Sequence, residues 1–342
     1  MNSRKRSGWL VVTIDTEEEG LWSGNYTSKA TVKNITAIPR FQSLCDRFSI
    51  RPTYLITTPV AKSPDAVKTL RSIHGTGRCE IGTHVHPWNS PPIVDTDGYP
   101  RESYLCNLPA DIQHAKLEQL TDLIEKSFGS RPLSFRAGRY GIGATAMRSL
   151  RKLGYRVDSS VLPRVDYSPQ DGPDFRTATC RPYFPSNSDI LSNTSDESLL
   201  EIPVTAGFTH RHFELADRLR QVAAQKPWRQ MRAVGILDRT GIATKVKLSP
   251  EQATLTRMKQ LATAVIKRGV QVLVLMFHSS SLLPGCSPYV KTEQDLDRFL
   301  ERMSSFFAFA QEELSLSAIT LGECYQHRQQ LIDPTAVSRI TW

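Results

Sequence analysis

The sequence predicts an α/β fold in which parallel strands, wrapped by helices, form a closed or nearly closed β/α barrel. Three observations carry that expectation. Short β-rich apolar runs alternate with longer 3.6-periodic segments about seven times, a rhythm that calls for parallel strands with helices outside them. Several of the runs are almost continuously apolar, as strands covered on both faces are. No flexible linker interrupts the rhythm, so one domain over residues 1–342 is expected, although 342 residues would accommodate two.

The strands are expected at Trp9–Asp15, Thr53–Thr57, Cys79–His84, Ser134–Arg136, Arg156–Ser159, Leu199–Val204 and Val270–His278. Helices between them carry start and stop signals. Ser63-Pro64-Asp65 offers a cap followed by proline at the first helical position. Ile112, Leu117, Leu120, Ile124 and Phe128 form an apolar stripe that Gly129 closes. Ser249-Pro250-Glu251-Gln252 reads as the cap and capping box of a helix striped by Leu255, Met258, Leu261, Ala262 and Val265 and ended by Gly269. Leu296, Phe299, Leu300, Met303, Phe306 and Phe307 mark the last long helix. Two polar segments break the pattern, residues 162–198 and 205–248. Loops of that length inside a domain are usually functional or disordered, and both are expected as insertions near the active-site mouth.

Composition narrows the setting. No stretch approaches the roughly 20 apolar residues of a membrane span. The apolar run after the basic N-terminus stops at Asp15, too short for a signal-peptide core and without a cleavage site, so a cytoplasmic protein is expected. The six cysteines are scattered, with no metal or redox spacing, and read as small core residues rather than disulfide partners. The formal charge is +9, and much of the excess falls on Arg218, Arg220, Lys226, Arg229, Arg232, Arg239, Lys245 and Lys247. That cluster is either a solvated surface or an attraction for an anionic partner such as a phosphorylated glycan, a nucleotide-linked sugar or a membrane surface. No recognition motif accompanies it, so nucleic acid is not expected.

In parallel β/α architectures catalytic groups sit at the carboxyl ends of the strands. The first strand ends in Asp15, followed by Thr16-Glu17-Glu18-Glu19. The third runs into His84-Val85-His86-Pro87-Trp88-Asn89. Residues two apart on an extended strand point to one side, so His84 and His86 could reach one metal ion. Neutral imidazoles with a carboxylate suit Zn²⁺, Co²⁺, Ni²⁺ or Fe²⁺ and leave positions open. The seventh strand ends in His278, either a further ligand or a general acid, since an imidazole can donate a proton near neutral pH. Arg136, after the fourth strand, and Asp158, after the fifth, could pair and hold a catalytic carboxylate, or form a plain structural ion pair. There is no G-x-S-x-G elbow for a serine nucleophile.

Taken in order, the acid after strand one, the His after strand three, Phe135-Arg136-Ala137-Gly138-Arg139-Tyr140-Gly141, Asp158-Ser159-Ser160 and the last strand ending in His278 resemble the polysaccharide deacetylase family (NodB homology, carbohydrate esterase family 4). Leu200-Glu201-Ile202-Pro203-Val204 and the stretch from Phe277 to Tyr289 resemble a cytosolic-looking branch tied to surface-polysaccharide metabolism. The resemblance implies a distorted (β/α)7 barrel and a metal-dependent hydrolase that removes acetyl groups from an N- or O-acetylated glycan or glycan precursor. It implies a divalent metal, Zn²⁺ first, held by a carboxylate with His84 and His86. Asp15 would be the general base, oriented by Arg136 and Asp158. The backbone N–H of Tyr140 would stabilise the oxyanion and His278 would protonate the leaving group. The chain departs from the family pattern at three points. Thr16 stands where a second Asp is usual, so the metal carboxylate is expected to be Glu17, with Asp15 the other candidate. Trp88 stands where the second His is usual, which makes His86 the substitute and Asn89 a weaker one. Gly138-Arg139 replaces a common proline. Two other functions remain open: hydrolysis of a different C–N amide bond on the same scaffold, and a degenerate relative that binds a glycan or protein through the basic segment.

Overall fold

The computed structural model describes residues 8–24, 30–93, 100–209, 212–223, 237 and 244–332. Its sheet is parallel and follows the expected runs closely: β1 (Gly8–Thr16), β2 (Thr53–Ile56), β3 (Glu80–Val85), β4 (Ser134–Ala137), β5 (Val157–Asp158) and β6 (Leu200–Glu201). A separate antiparallel pair, β7 (Ala206–Phe208) and β8 (Lys245–Lys247), precedes β9 (Val272–His278), and β10 (Leu316–Ala318) ends the series. From β9 the ladder runs through β1 and on in order to β6, while β10 pairs with the first residues of β1. The sheet therefore curls into a half-barrel, with helices outside it. Between β6 and β9 the gap is bridged by Thr205, whose N–H reaches the Val274 carbonyl at 3.3 Å and whose hydroxyl accepts the Val274 N–H at 2.8 Å.

The helices are α1 (Ile38–Arg47), α2 (Thr58–Lys62), α3 (Pro64–His74), α4 (Ala110–Phe128), α5 (Ala144–Lys152), α6 (Phe213–Ala223), α7 (Leu255–Lys267), α8 (Glu293–Glu312), α9 (Glu323–Gln326) and α10 (Arg328–Ile332). Ser63 caps α3 by accepting the Ala66 N–H, and Gly129 closes α4 in the left-handed region at φ 77°. One start signal misleads. α7 begins after Thr254, which caps it, and not at Ser249; the side chain of Glu251 is engaged elsewhere. Segment 162–198 is irregular, and its antiparallel bridge from Tyr183 to Glu201 covers the β6 edge of the sheet. Of segment 205–248, the structure describes β7, α6, β8 and their immediate neighbours; Lys226, Arg229, Arg232 and Arg239 lie outside the described residues.

Period-two alternation sets which side chains enter the barrel. On β1, Leu10, Val12 and Ile14 belong to the core under the helices, while Val11 belongs to a second cluster with Leu55, Val157, Leu200, Val272 and Val274. Asp15 follows in phase with Val11 and so arrives at the carboxyl rim on the inner side. Its register partner on β9 is His278. The register of β3 with β4 likewise sets His84 beside Arg136.

Candidate metal centre and catalytic cleft

The run Asp15-Thr16-Glu17-Glu18-Glu19 leaves β1 with four acids, and each one goes to a different task. Glu17 turns inward to His84 and His86: its Oε2 lies 3.5 Å from His84 Nε2 and 3.4 Å from His86 Nε2. Those spacings are long for hydrogen bonds. They match the roughly 3.4 Å edge between two ligand atoms held about 2.0–2.1 Å from one tetrahedral ion. Each imidazole has its other nitrogen anchored, His84 Nδ1 on the Arg136 carbonyl at 2.8 Å and His86 Nδ1 on Glu18 Oε1 at 2.8 Å. Anchoring Nδ1 fixes the tautomer and aims Nε2 at the shared point, as it does for metal-bound histidines generally. All three side chains are buried, and among the described residues Glu17, His84 and His86 form a group able to hold a metal ion.

Glu18 is the support that inspection of the sequence passes over. Its Oε1 also accepts from Trp88 Nε1 at 3.2 Å and Asn89 Nδ2 at 2.5 Å, and its Oε2 accepts the Thr57 hydroxyl at 3.0 Å. Asn89 thus spends its amide nitrogen on Glu18, while its Oδ1 is buried without a hydrogen-bond partner among the described residues. Trp88 stacks on His86 with centroids 4.3 Å apart. Glu19 turns away to accept from Asn34. The loop carrying His86, Trp88 and Asn89 is held from below by the buried Lys116 of α4, whose ammonium donates to the carbonyls of Pro87, Ser90 and Pro92 at 2.6–2.9 Å.

Gly138 explains how His86 can take this position. A Cβ on Gly138 would lie 2.3 Å from His86 Cδ2 and 2.8 Å from the Val85 carbonyl oxygen. The missing side chain at Gly138 is therefore the berth for the His86 imidazole. Gly138→Ala is expected to push His86 aside and weaken metal binding by at least about tenfold, measured by competition with a chromogenic chelator.

Asp15 sits next to this group. Arg136, fully buried, donates Nη1 to Asp15 Oδ1 at 2.6 Å. Asp15 Oδ2 is left facing His84 Nε2 at 3.9 Å and His278 Nε2 at 4.0 Å. Burial alone would raise the Asp15 carboxyl, but Arg136, then His84 and His278, outweigh it and hold the group below the ordinary carboxylate range. Glu17 is likewise held far below it: burial is overcome by His278, His84 and His86. The His86 imidazole is pushed up to about 10, burial being outweighed by Glu18 and Glu17. A metal taken up at Nε2 must therefore displace a proton.

Asp158 does not hold Arg136. Its register partner is Phe135, one residue short of Arg136, so alternation places it on the other face of the strand. Ser159 takes that task, accepting Arg136 Nε on its carbonyl at 2.8 Å and Nη2 on its hydroxyl at 3.0 Å. Asp158 instead accepts from Ser160 at 2.5 Å and faces Glu201, both acids fully buried. Burial, and for Glu201 the charge of Asp158 as well, raises both carboxyls above their usual range.

His278 has a partner that the helix-start reading of Ser249–Gln252 concealed. Glu251, buried, takes His278 Nδ1 on Oε2 at 2.9 Å, and on Oε1 the His278 main-chain N–H at 3.0 Å and the Ser281 hydroxyl at 2.6 Å. This orients Nε2 toward Asp15 and the cleft. Burial would lower the imidazole, but Glu251 and then Glu17 push it up to about 9. Tyr140 completes the wall. Arg139 and Tyr140 both adopt positive φ (53° and 60°), a strained backbone that turns the loop into the cleft. The cavity these residues enclose, about 190 Å³, is lined by Asp15, Glu17, His84, His86, Trp88, Tyr140, His278 and Trp22. Trp22 packs edge-on to His278 at 4.9 Å and donates to the Ser280 hydroxyl at 3.2 Å.

No protein-family model and no curated protein matches the chain. Solved structures do. A provisionally assigned polysaccharide deacetylase from Mycobacterium smegmatis superposes with a TM-score of 0.56 at 15% identity, over 98% of this chain and 94% of that one. A provisionally assigned glycoside hydrolase/deacetylase from Parabacteroides distasonis gives 0.61 at 12% identity, over 96% and 73%. The allantoinase Puue gives 0.55 at 14%, over 96% and 93%. At such identities the likeness speaks for the backbone, and on that ground the chain has the (β/α) barrel fold of the polysaccharide deacetylase type.

Proposed function

We propose that the protein is a metal-dependent hydrolase that removes acetyl groups from an N- or O-acetylated glycan or glycan precursor in surface-polysaccharide metabolism. The observation that carries this is the convergence of His84 and His86 Nε2 on one Glu17 oxygen, beside an Arg136-bound Asp15 and a Glu251-bound His278. Glu17, His84 and His86 would hold the ion, Zn²⁺ by donor set, with Co²⁺, Ni²⁺ or Fe²⁺ compatible. Bound there, a divalent ion supplies Lewis acidity, making water more acidic and an acyl carbonyl more electrophilic.

The chain's own groups do the rest. Asp15, kept ionised by Arg136, accepts the proton of the attacking water through Oδ2, the oxygen that Arg136 leaves free. The N–H of Tyr140 is the donor available on the strained loop for the developing oxyanion. His278, protonated at neutral pH, delivers its Nε2 proton to the departing amine or alcohol, and Glu251 steadies the imidazolium. Trp22 and Trp88 give the cleft aromatic walls that suit the apolar face of a sugar ring. The scattered cysteines, all with free thiols, fit a cytoplasmic setting.

Incubation of metal-loaded protein with chitin oligosaccharides and acetylated xylan is expected to release acetate, and a strong chelator to abolish the release. Likeness of the backbone to an allantoinase favours one second reading, hydrolysis of a different C–N amide in a small metabolite. Turnover of amides without acetate release would support it against the first.

A further inference from the structure

We propose that Asp158 and Glu201 hold one proton between them and, in that state, are positioning residues for the loop that carries the oxyanion donor, a role that rests on the hydrolase reading for its kinetic consequences. The two acids are register partners on the neighbouring parallel strands β5 and β6. Val157 and Leu200, which precede them, belong to the inner apolar cluster, so period two turns both carboxyls to the outer side of the sheet, away from the cleft. Both are fully buried. One oxygen of each is satisfied: Asp158 Oδ1 accepts the Ser160 hydroxyl at 2.5 Å, and Glu201 Oε1 accepts the Val161 N–H at 3.1 Å. The other two, Asp158 Oδ2 and Glu201 Oε2, are buried without a partner. Two ionised carboxylates side by side out of water would repel each other and leave both of those oxygens unsatisfied. A single proton removes both costs, since a protonated carboxyl donates to its ionised neighbour.

The neighbours of the pair agree with one proton and one charge. Arg136, from β4, opposes the rise of both carboxyls, while its guanidinium is hydrogen-bonded to Asp15 and Ser159. Tyr183, from the segment over β6, faces both acids, but its hydroxyl donates to the Ile190 carbonyl at 2.7 Å. Burial raises both acids, and the charge of Asp158 raises Glu201 further, so the proton resides on Glu201 and the charge on Asp158. That charge has a structural consequence. A serine hydroxyl has one hydrogen to give. Asp158 takes it from Ser160, which leaves the Ser160 oxygen to accept the Ala137 N–H at 2.8 Å. Ala137 immediately precedes Gly138–Tyr140, so this bond pins the root of the loop that berths His86 and presents the Tyr140 N–H. The turn after β5 thus holds Arg136 with Ser159 and the oxyanion loop with Ser160, and the acid pair fixes that turn from behind.

Glu201→Gln tests the proton. The amide can donate to Asp158 and accept from Val161, as the protonated acid does, but it does not titrate. In the unfolded chain both acids are ionised above about pH 5, so the folded wild type holds one proton more. Its stability therefore falls as pH rises, by about tenfold in the folding constant per pH unit from this proton. Guanidinium unfolding at about pH 6, 7 and 8 is expected to show Glu201→Gln gaining about tenfold per unit over the wild type. A difference that does not grow with pH would overturn the shared proton. Kinetics test the positioning. Glu201→Ala is expected to lower kcat at least about tenfold with KM and metal content little changed, and Glu201→Gln to restore it to within about threefold. Should the alanine variant not fold, Ser160→Ala, which keeps both acids, is expected to show the same fall. A wild-type kcat in the alanine variant that folds, or a glutamine variant as slow as alanine, would overturn the positioning role. Acetate release by no form, wild type included, would overturn the hydrolase reading and the positioning that rests on it, while the unfolding data still decide the proton.

Discussion

Asparagine in place of Asp15 is expected to lower turnover by about 10²- to 10⁴-fold, the range associated with loss of a general base. The amide oxygen of the substituted side chain could still accept from Arg136, so the 2.6 Å contact has a substitute. What disappears is a basic oxygen where Oδ2 now faces the cleft. Metal content is expected to stay at the wild-type level, because Asp15 is outside the Glu17–His84–His86 group. A fall in kcat with KM and metal content little changed is the expected signature. Losing the full ionic partner of a buried guanidinium also costs stability, so the melting temperature should be measured in parallel to separate a dead site from a loosened fold.

Glu251→Gln is expected to cost about 10³-fold, comparable to losing the acid that orients a catalytic imidazole elsewhere. The carboxylate accepts on both oxygens, from His278 Nδ1 on one side and from the His278 N–H and Ser281 on the other. An amide must turn its NH₂ toward one of these donors, so an existing hydrogen bond becomes a repulsion. The pH profile supplies an independent check. His278 acts in its protonated form, and Glu251, with Glu17, raises it to about 9. Activity therefore falls as pH rises through that region in the wild type. Without the Glu251 charge the basic limb is expected to move down toward the ordinary imidazole value of about 6.5. A limb that stays in place would mean that His278 is not the titrating acid, or that Glu251 does not tune it.

Much of this could be read from the sequence, and each part that could not has its own physical reason. Asp15, His84 and His278 are polar residues that end apolar strands, a local signal that survives without tertiary information. His86 follows from the two-residue period, whereas its berth at Gly138 shows only in the packing of the arginine loop against it. Glu18 is hidden because its neighbours are also acids, and only the backbone path after β1 decides which of them meets His86. Glu251 carries a misleading local signal: Ser-Pro-Glu-Gln is a good helix start, yet α7 begins at Leu255. The Ser159–Asp158 exchange turns on register, since moving one residue along a strand sends the side chain to the other face. The strands β7, β8 and β10 have three residues each, too few for any period to emerge.

Metal content tests the central claim most directly. Protein purified without chelator, wild type beside His84→Ala/His86→Ala, would be analysed by inductively coupled plasma mass spectrometry and assayed for acetate release. The account predicts about one divalent ion per wild-type chain, absent from the double variant together with the activity. A wild type that holds none of Zn²⁺, Co²⁺, Ni²⁺ or Fe²⁺ even after loading, or a variant that keeps its metal, would contradict it.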